Sequence, residues 1–386
     1  MIRKIIDIKN SFLSASLILV FLIFSCSDQN HKNPLEYALA SEDFRIKRVM
    51  DSVEQYEVQI RYTQIDRRND SILFIDFDFQ VNPNHYFYPA STVKFPAAVA
   101  TLEKLNNIDS IDRNTKFYLE GDTIETTFAR AIQEIFAVSD NAANNRLVEF
   151  LGFDALNKSL RNRGIDSVRI SHRLSTTNAD EVTTKPMVIY LNDSTASSSK
   201  SIISTSPVNL TMEKVLKGKG YYSDDSLYLT PFDFSLKNFY ALPAQHGLLK
   251  RVIFPETFSK SEQFNLSKNQ HSFLLNAMGT LPKDTGYNEK EYYDSYGKFF
   301  MYGDSKEPIP DYIKIYNKVG YAYGTLTDCA YIKDTKNNID FMITATILVN
   351  KDEIFNDDNY EYDEIGIPFL AQLGRELYNQ ELKRKR

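Results

Sequence analysis

Strand-like alternation of apolar and polar residues is concentrated toward the two ends of this chain, and that distribution narrows its fold more than any other feature. Near the start, Val58–Ile65 and Ile72–Phe79 alternate with the period of two expected of half-buried strands, and the polar turn Asp66–Ser71 joins them as a hairpin. Further strands are expected at 312–318, 324–333 and 339–349. Between the two blocks the spacing is helical: an apolar, Ala-rich run at 91–105, then 124–136, 144–163, 231–252 and 267–280. A short helical pattern from Phe44 to Val53 precedes the hairpin. A last helix runs from about Ile367 to Leu382 and ends in Lys383-Arg384-Lys385-Arg386, cations that suit a helix C-terminus. Residues 176–228 are rich in Ser, Thr, Asp and Lys and read as a long excursion with little core, and 284–310 is a Tyr-, Gly- and Pro-rich loop. No internal repeat is visible, so a solenoid is not expected. Such a pattern specifies a mixed α/β (α+β) protein. With 42% hydrophobic and 25% charged residues the chain has the composition of a globular protein, and its formal charge of -6 excludes a basic nucleic-acid binder.

The first 25 residues read as a secretory signal: Arg3, Lys4 and Lys9 precede an uncharged run of thirteen residues from Phe12 to Phe24. That run is shorter than the ~20 apolar residues of a membrane-spanning helix. The stretch Leu22-Ile23-Phe24-Ser25-Cys26 resembles a bacterial lipoprotein signal, which implies cleavage before Cys26, lipidation of that residue and an exported, membrane-anchored protein of a bacterial envelope. Ordinary cleavage and a retained anchor are the alternatives. Loss of residues 1–25 removes Arg3, Lys4, Lys9 and Asp7 and takes the formal charge from -6 to -8. Residues 26–42 read as a polar tether, with the fold beginning near Asp43. Only Cys329 then remains, so no intrachain disulfide is expected and stability must come from the core.

Three short motifs carry the chemistry. Ser91-Thr92-Val93-Lys94 opens the apolar run, and residues three apart lie on one helix face, so the Ser91 hydroxyl and the Lys94 amine can meet. A buried lysine whose pKa falls from ~10.4 can take a serine proton and make it a nucleophile. Read alone, the motif is equally a helix cap followed by a surface lysine. Ser139-Asp140-Asn141 lies between two helical stretches, where its residue types are also those of a helix cap. Lys318-Val319-Gly320 ends a strand, where a cation can hold a substrate carboxylate and a glycine lets substrate lie against the backbone. Read alone, it is part of a hairpin.

Together, and in this order, the three resemble the Ser-x-x-Lys, Ser-Asp-Asn and Lys-Thr-Gly motifs of class A β-lactamases and penicillin-binding proteins. Their surroundings, residues 87–96, 137–145 and 318–330, are similar as well. The resemblance implies a β-lactamase/transpeptidase-like fold for residues 43–386. In it an antiparallel sheet from 43–90 and 311–386 is flanked by helices, and a helical part from 91–310 carries insertions near 176–228 and 284–310. It further implies Ser91 as nucleophile, Lys94 as general base, Ser139 as proton relay, Asn141 as a substrate ligand and Lys318 as an electrostatic clamp. The backbone N–H groups of Ser91 and Tyr321 would form an oxyanion hole, with Gly320 setting the backbone there. The implied activity is serine hydrolysis of a β-lactam or related amide; a peptidoglycan-directed peptidase, amidase or esterase and a non-catalytic binding protein are the alternatives. A small-molecule substrate, no cofactor, no metal, no nucleic-acid partner and a monomer are expected. Three departures stand out. The family's Glu-x-x-Leu-Asn segment has no counterpart where this chain reads Arg169-Ile170-Ser171-His172-Arg173-Leu174-Ser175, which leaves Glu181, Asp224, Asp225 and His172 as candidate deacylation bases or plain loop residues. Val319 replaces a hydroxyl residue, and the strand around Leu326 offers no arginine to a carboxylate.

Overall fold

The computed structural model describes residues 33–69 and 71–384. The expected signal segment and Cys26 lie outside the described residues, as does the end of the basic tail. A five-stranded antiparallel sheet unites the two alternating blocks. Its strands are β1 (Gln59–Arg68), β2 (Ser71–Phe79), β3 (Ile313–Ala322), β4 (Thr325–Asp334) and β5 (Ile339–Leu348), in the order β3-β4-β5-β1-β2. Strands β4 and β5 are buried along almost their whole length, which is why their sequence is nearly continuous in apolar and small residues rather than alternating. Strand β3 is an edge, so its backbone is free of a sheet partner on one side.

Each face of the sheet carries its own core. On one face the helices α1 (Pro34–Leu39), α2 (Phe44–Met50) and, at the end of the chain, Ile367–Lys383 pack with Ile60, Ile343 and Ile347. On the other lie α3 (Lys94–Leu105), α4 (Phe128–Ala137), α5 (Asn141–Leu151) and α6 (Leu242–Ile253), packed around Phe117, Leu147 and Leu248. Among the described residues no helix is long and apolar enough to cross a membrane.

Three details depart from the sequence reading. The stretch read as a tether contains α1, whose Leu35, Ala38 and Leu39 are buried and whose N-terminus is capped by the Asn33 side chain. Hydrophobic residues at i, i+3 and i+4 are enough to dock even one and a half turns. The helix expected over 231–252 is confined to α6, from Leu242, where Pro243 suits the first turn. Before it, Phe232–Asp233 and Phe239–Tyr240 are short strands, and Phe234 and Phe239 join Tyr86, Tyr88 and Phe355 in a small aromatic core. Finally, the 284–310 loop is not all rim, because it supplies the buried Lys298, Phe299 and Phe300 to the interior.

Candidate active site

Ser91 sits in a short 3-10 turn, Ala90–Val93, that runs directly into α3. Ala90 has φ +46, a left-handed conformation costing an alanine ~1–3 kcal/mol, and it turns the chain from the buried Tyr88-Pro89 segment into the helix. Pro96 falls in the first turn of α3, where an N–H has no partner within the helix, so it costs no hydrogen bond there. Lys94 is the first residue of α3 and is fully buried. Its amine donates to the Ser139 carbonyl, to Asn141 Oδ1 at 2.6 Å and to Ser139 Oγ at 3.2 Å. No hydrogen bond joins it to Ser91 among the described residues; the shared helix face brings the two to one site, and Lys94 is held by the Ser-Asp-Asn segment. Burial lowers its pKa to about 7, with Asp140 pulling weakly the other way, so half of the amine is unprotonated near neutrality.

The break between α4 and α5 divides its labour. Asp140 is the cap, accepting from the Ala143 N–H at 2.6 Å. That frees Ser139 and Asn141 for the site. Ser139 has φ +59 and receives two amines: Lys94, and Lys318 at 2.8 Å. A hydroxyl has two lone pairs and one proton, so once both lone pairs accept, its own O–H points elsewhere, here along the wall of a cleft. Asn141 also has two partners, accepting from Lys94 through Oδ1 and donating through Nδ2 to Ser175 Oγ at 3.0 Å.

Lys318 lies on β3, buried, its amine also donating to the Val319 carbonyl at 2.8 Å. Burial, with Lys94 and Lys298 nearby, holds it well below the ordinary lysine range against the pull of Asp328. Gly320 explains why β3 can approach so closely. A Cβ there would stand 2.8 Å from Ser91 N and 2.8 Å from the Pro89 carbonyl, too close for any side chain. The backbone of Gly320 and Tyr321 thus abuts the N–H of Ser91.

Two adjoining clefts meet at Ser91. One, of about 380 Å³, is bounded by Ser139, Asn141, Lys318, Val319, Tyr296 and Tyr321. The other, of about 540 Å³, is bounded by Tyr88, His172, Ser175, Tyr323 and Tyr362 and also reaches Asn141 and Tyr321. Of the candidate bases, only His172 lines the clefts. Its Nδ1 is 2.6 Å from the Arg173 carbonyl, its Nε2 is buried without a partner, and its ring stacks on Tyr88 with centroids 6.1 Å apart. Burial pushes its pKa down to about 4, so the imidazole is neutral at pH 7. Glu181 lines a separate cavity. Asp224 and Asp225 form the exposed tip of the hairpin between Gly220–Ser223 and Ser226–Tyr228, away from both clefts. The loop that carries His172 and Ser175 is anchored by the buried ion pair of Arg173 with Glu149, in which Nε donates at 2.6 Å and Nη2 at 2.9 Å. Sequence reasoning missed Ser175 and the tyrosines at 296, 360 and 362; a loop serine and scattered aromatics carry no spacing that marks them.

Comparison with known proteins agrees with this architecture. A family model described as the beta-lactamase enzyme family matches residues 44–223, a span that takes in Ser91, Lys94, Ser139 and Asn141. Among solved structures, a beta-lactamase from Sphaerobacter thermophilus is similar with a TM-score of 0.50 at 13% identity, covering 90% of this chain and 96% of that one. A protein described as PBP-A is similar with a TM-score of 0.53 at 12% identity, covering 92% of this chain and 97% of that one. A beta lactamase from Xanthomonas campestris gives a TM-score of 0.52 at 13% identity, covering 89% and 97%. The fold is therefore β-lactamase/transpeptidase-like. No curated protein matches the chain.

Proposed function

We propose that this chain is a serine acyl-transfer hydrolase of the β-lactamase-like kind, opening an amide or ester through an acyl-Ser91 intermediate. The observation that carries the reading is the convergence of Lys94 and Lys318 on Ser139 beside a cleft that Ser91 shares. Neutral Lys94 takes the Ser91 proton as Oγ attacks the substrate carbonyl. The oxyanion is held by the backbone N–H groups of Ser91 and Tyr321, and each such donor is worth ~10²–10³ in rate. Ser139, its lone pairs occupied, donates its proton to the departing nitrogen or oxygen and is reprotonated from the lysines. Water then attacks the acyl carbon, the Ser91 Oγ–acyl bond breaks, and Oγ recovers a proton.

A second reading, a penicillin-binding type of enzyme with slow deacylation, is favoured by one observation. From the 169–175 segment, His172 and Ser175 face the clefts, and no carboxylate of that segment does. Asn141 accordingly donates to a serine hydroxyl. Water activation then rests on weaker groups and the acyl-enzyme accumulates. Cys26, lipidated, anchors the monomeric protein to a bacterial envelope membrane, where it takes a small β-lactam-like or peptidoglycan-type substrate without cofactor.

The test is the mass of the full chain after incubation with a fluorescent penicillin and, separately, with a fluorophosphonate serine probe. An adduct on the peptide containing Ser91 is expected with each, and it is expected to vanish in Ser91→Ala. Labelling that survives this substitution would overturn the assignment. Release of the penicillin adduct over hours rather than seconds is the signature of the second reading.

A further inference from the structure

The smaller cleft has walls of one chemical kind. Its only charged lining side chains are Asp140 and Lys318, and neither is available to a ligand's charge. Asp140 is committed to capping α5. Lys318 is 2% exposed, and its amine is engaged by Ser139 Oγ and the Val319 carbonyl. Asn317, also on this wall, has both amide hydrogens occupied, donating to the Gly297 carbonyl at 2.9 Å and to Asp328 Oδ1 at 2.8 Å. Its Oδ1 accepts from Lys298 at 2.7 Å. Val319 contributes methyl groups where a hydroxyl would offer a donor. An anion entering this cleft exchanges hydration for apolar surface and spent donors, a transfer that proteins avoid unless the charge is paired.

What the cleft does offer is aromatic. Tyr321 is 51% exposed at its mouth, with its ring 5.5 Å from Tyr362 at 71° and 6.4 Å from Phe299. Tyr296 lies on the same wall and packs edge-on against Tyr292 at 4.8 Å. Such rings present apolar faces and phenolic hydroxyls, a combination suited to a neutral ring, aromatic or glycosyl, with hydroxyl or carbonyl groups at its edge.

We propose that the smaller cleft binds an uncharged, ring-bearing group, so that the substrate is a neutral ester or amide with no carboxylate beside its scissile bond. This rests on the acyl-Ser91 reading above. For an ester the balance is simple. The Ser91 Oγ–acyl bond forms and the acyl–oxygen bond breaks, with the Ser91 proton delivered to the leaving alcohol by way of Lys94 and Ser139. Water then releases the acid and restores Ser91.

The test uses the full chain in detergent with one chromogenic cephalosporin supplied as its free acid and as its methyl ester, and with the fluorophosphonate probe in parallel. The methyl ester is expected to be consumed with kcat/KM at least ~10-fold above the free acid. Tyr321→Arg, which puts a cation at the exposed mouth, is expected to lower that ratio at least ~10-fold, and Val319→Thr to lower it less. A free acid consumed as well as its ester, while the probe still labels Ser91, would overturn the inference and leave the acyl-serine reading standing. Failure to consume the ester in a chain that labels would also overturn it. Failure to label Ser91 at all would overturn the acyl-serine reading and this inference with it.

Discussion

Lys94 carries the pH behaviour of the site. A base must be unprotonated to act, and burial sets the pKa of this amine at about 7. The rate of Ser91 adduct formation is therefore expected to rise through pH 6–8 and level off above it, with an apparent pKa near that value. Asp140 pulls this pKa upward. Asp140→Asn is therefore expected to move the acid limb to lower pH, as read from the pH profile of labelling, and asparagine still caps the helix. The residues at this centre are legible in the sequence, because their spacing is dictated by one helix start, one helix break and one strand end. Ser139 and Asn141 have the residue types of caps; the cap is Asp140 alone, which leaves its neighbours free for Lys94. Ser175 is invisible in the sequence, since its role depends on a loop folded back by Glu149 and Arg173 from 24 positions apart.

At the level of elements, the decisive contact is between β3 and the 3-10 turn before α3. Gly320→Ala would place a methyl group 2.8 Å from Ser91 N. Overpacking of this kind typically costs ~1–3 kcal/mol. It also displaces a donor of the oxyanion hole, so labelling of Ser91 is expected to slow ~10²-fold or more while thermal unfolding moves down by only a few degrees. A loss confined to stability would show that β3 does not set the site. The first two strands of the sheet are readable from period and turn residues. The 231–252 stretch is not, because Phe232, Phe234, Phe239 and Tyr240 also fit a helical stripe; a turn tied by Asp233 Oδ1 accepting from Ser235 N at 2.7 Å settles it as strand pieces. The buried run of β4 and β5 has no alternation to read, and only its length and turns mark it.

The whole molecule accommodates several lysines in its interior, and its stability should reveal them. Lys94 and Lys298 are buried and titrate near 7 and 8, below the ordinary lysine value of 10.5. Above those values the unfolded chain binds more protons than the folded one, so stability rises with pH until unfolded lysines and tyrosines titrate near pH 10. The urea midpoint is expected to be higher at pH 9 than at pH 7, by an amount on the order of 1–3 kcal/mol in ΔG, and Lys94→Met is expected to flatten that rise. A midpoint that falls over this range would contradict the buried placement of these amines. The division into two cores explains what the order of elements alone does not reveal: β1 ends at Arg68 and its partner β5 begins only at Ile339, so the sheet closes only after the helical half is built.

The small helix α1 has a consequence for where this protein works. It begins at Pro34, docked on the sheet side of the molecule. With Cys26 lipidated as proposed, seven residues, 27–33, connect the bilayer to the folded body. A chain advances at most ~3.3–3.6 Å per residue, so the leash is no longer than ~25 Å. The catalytic body is then held within its own diameter of the membrane, and it samples a thin layer of solvent against that surface in place of the whole compartment.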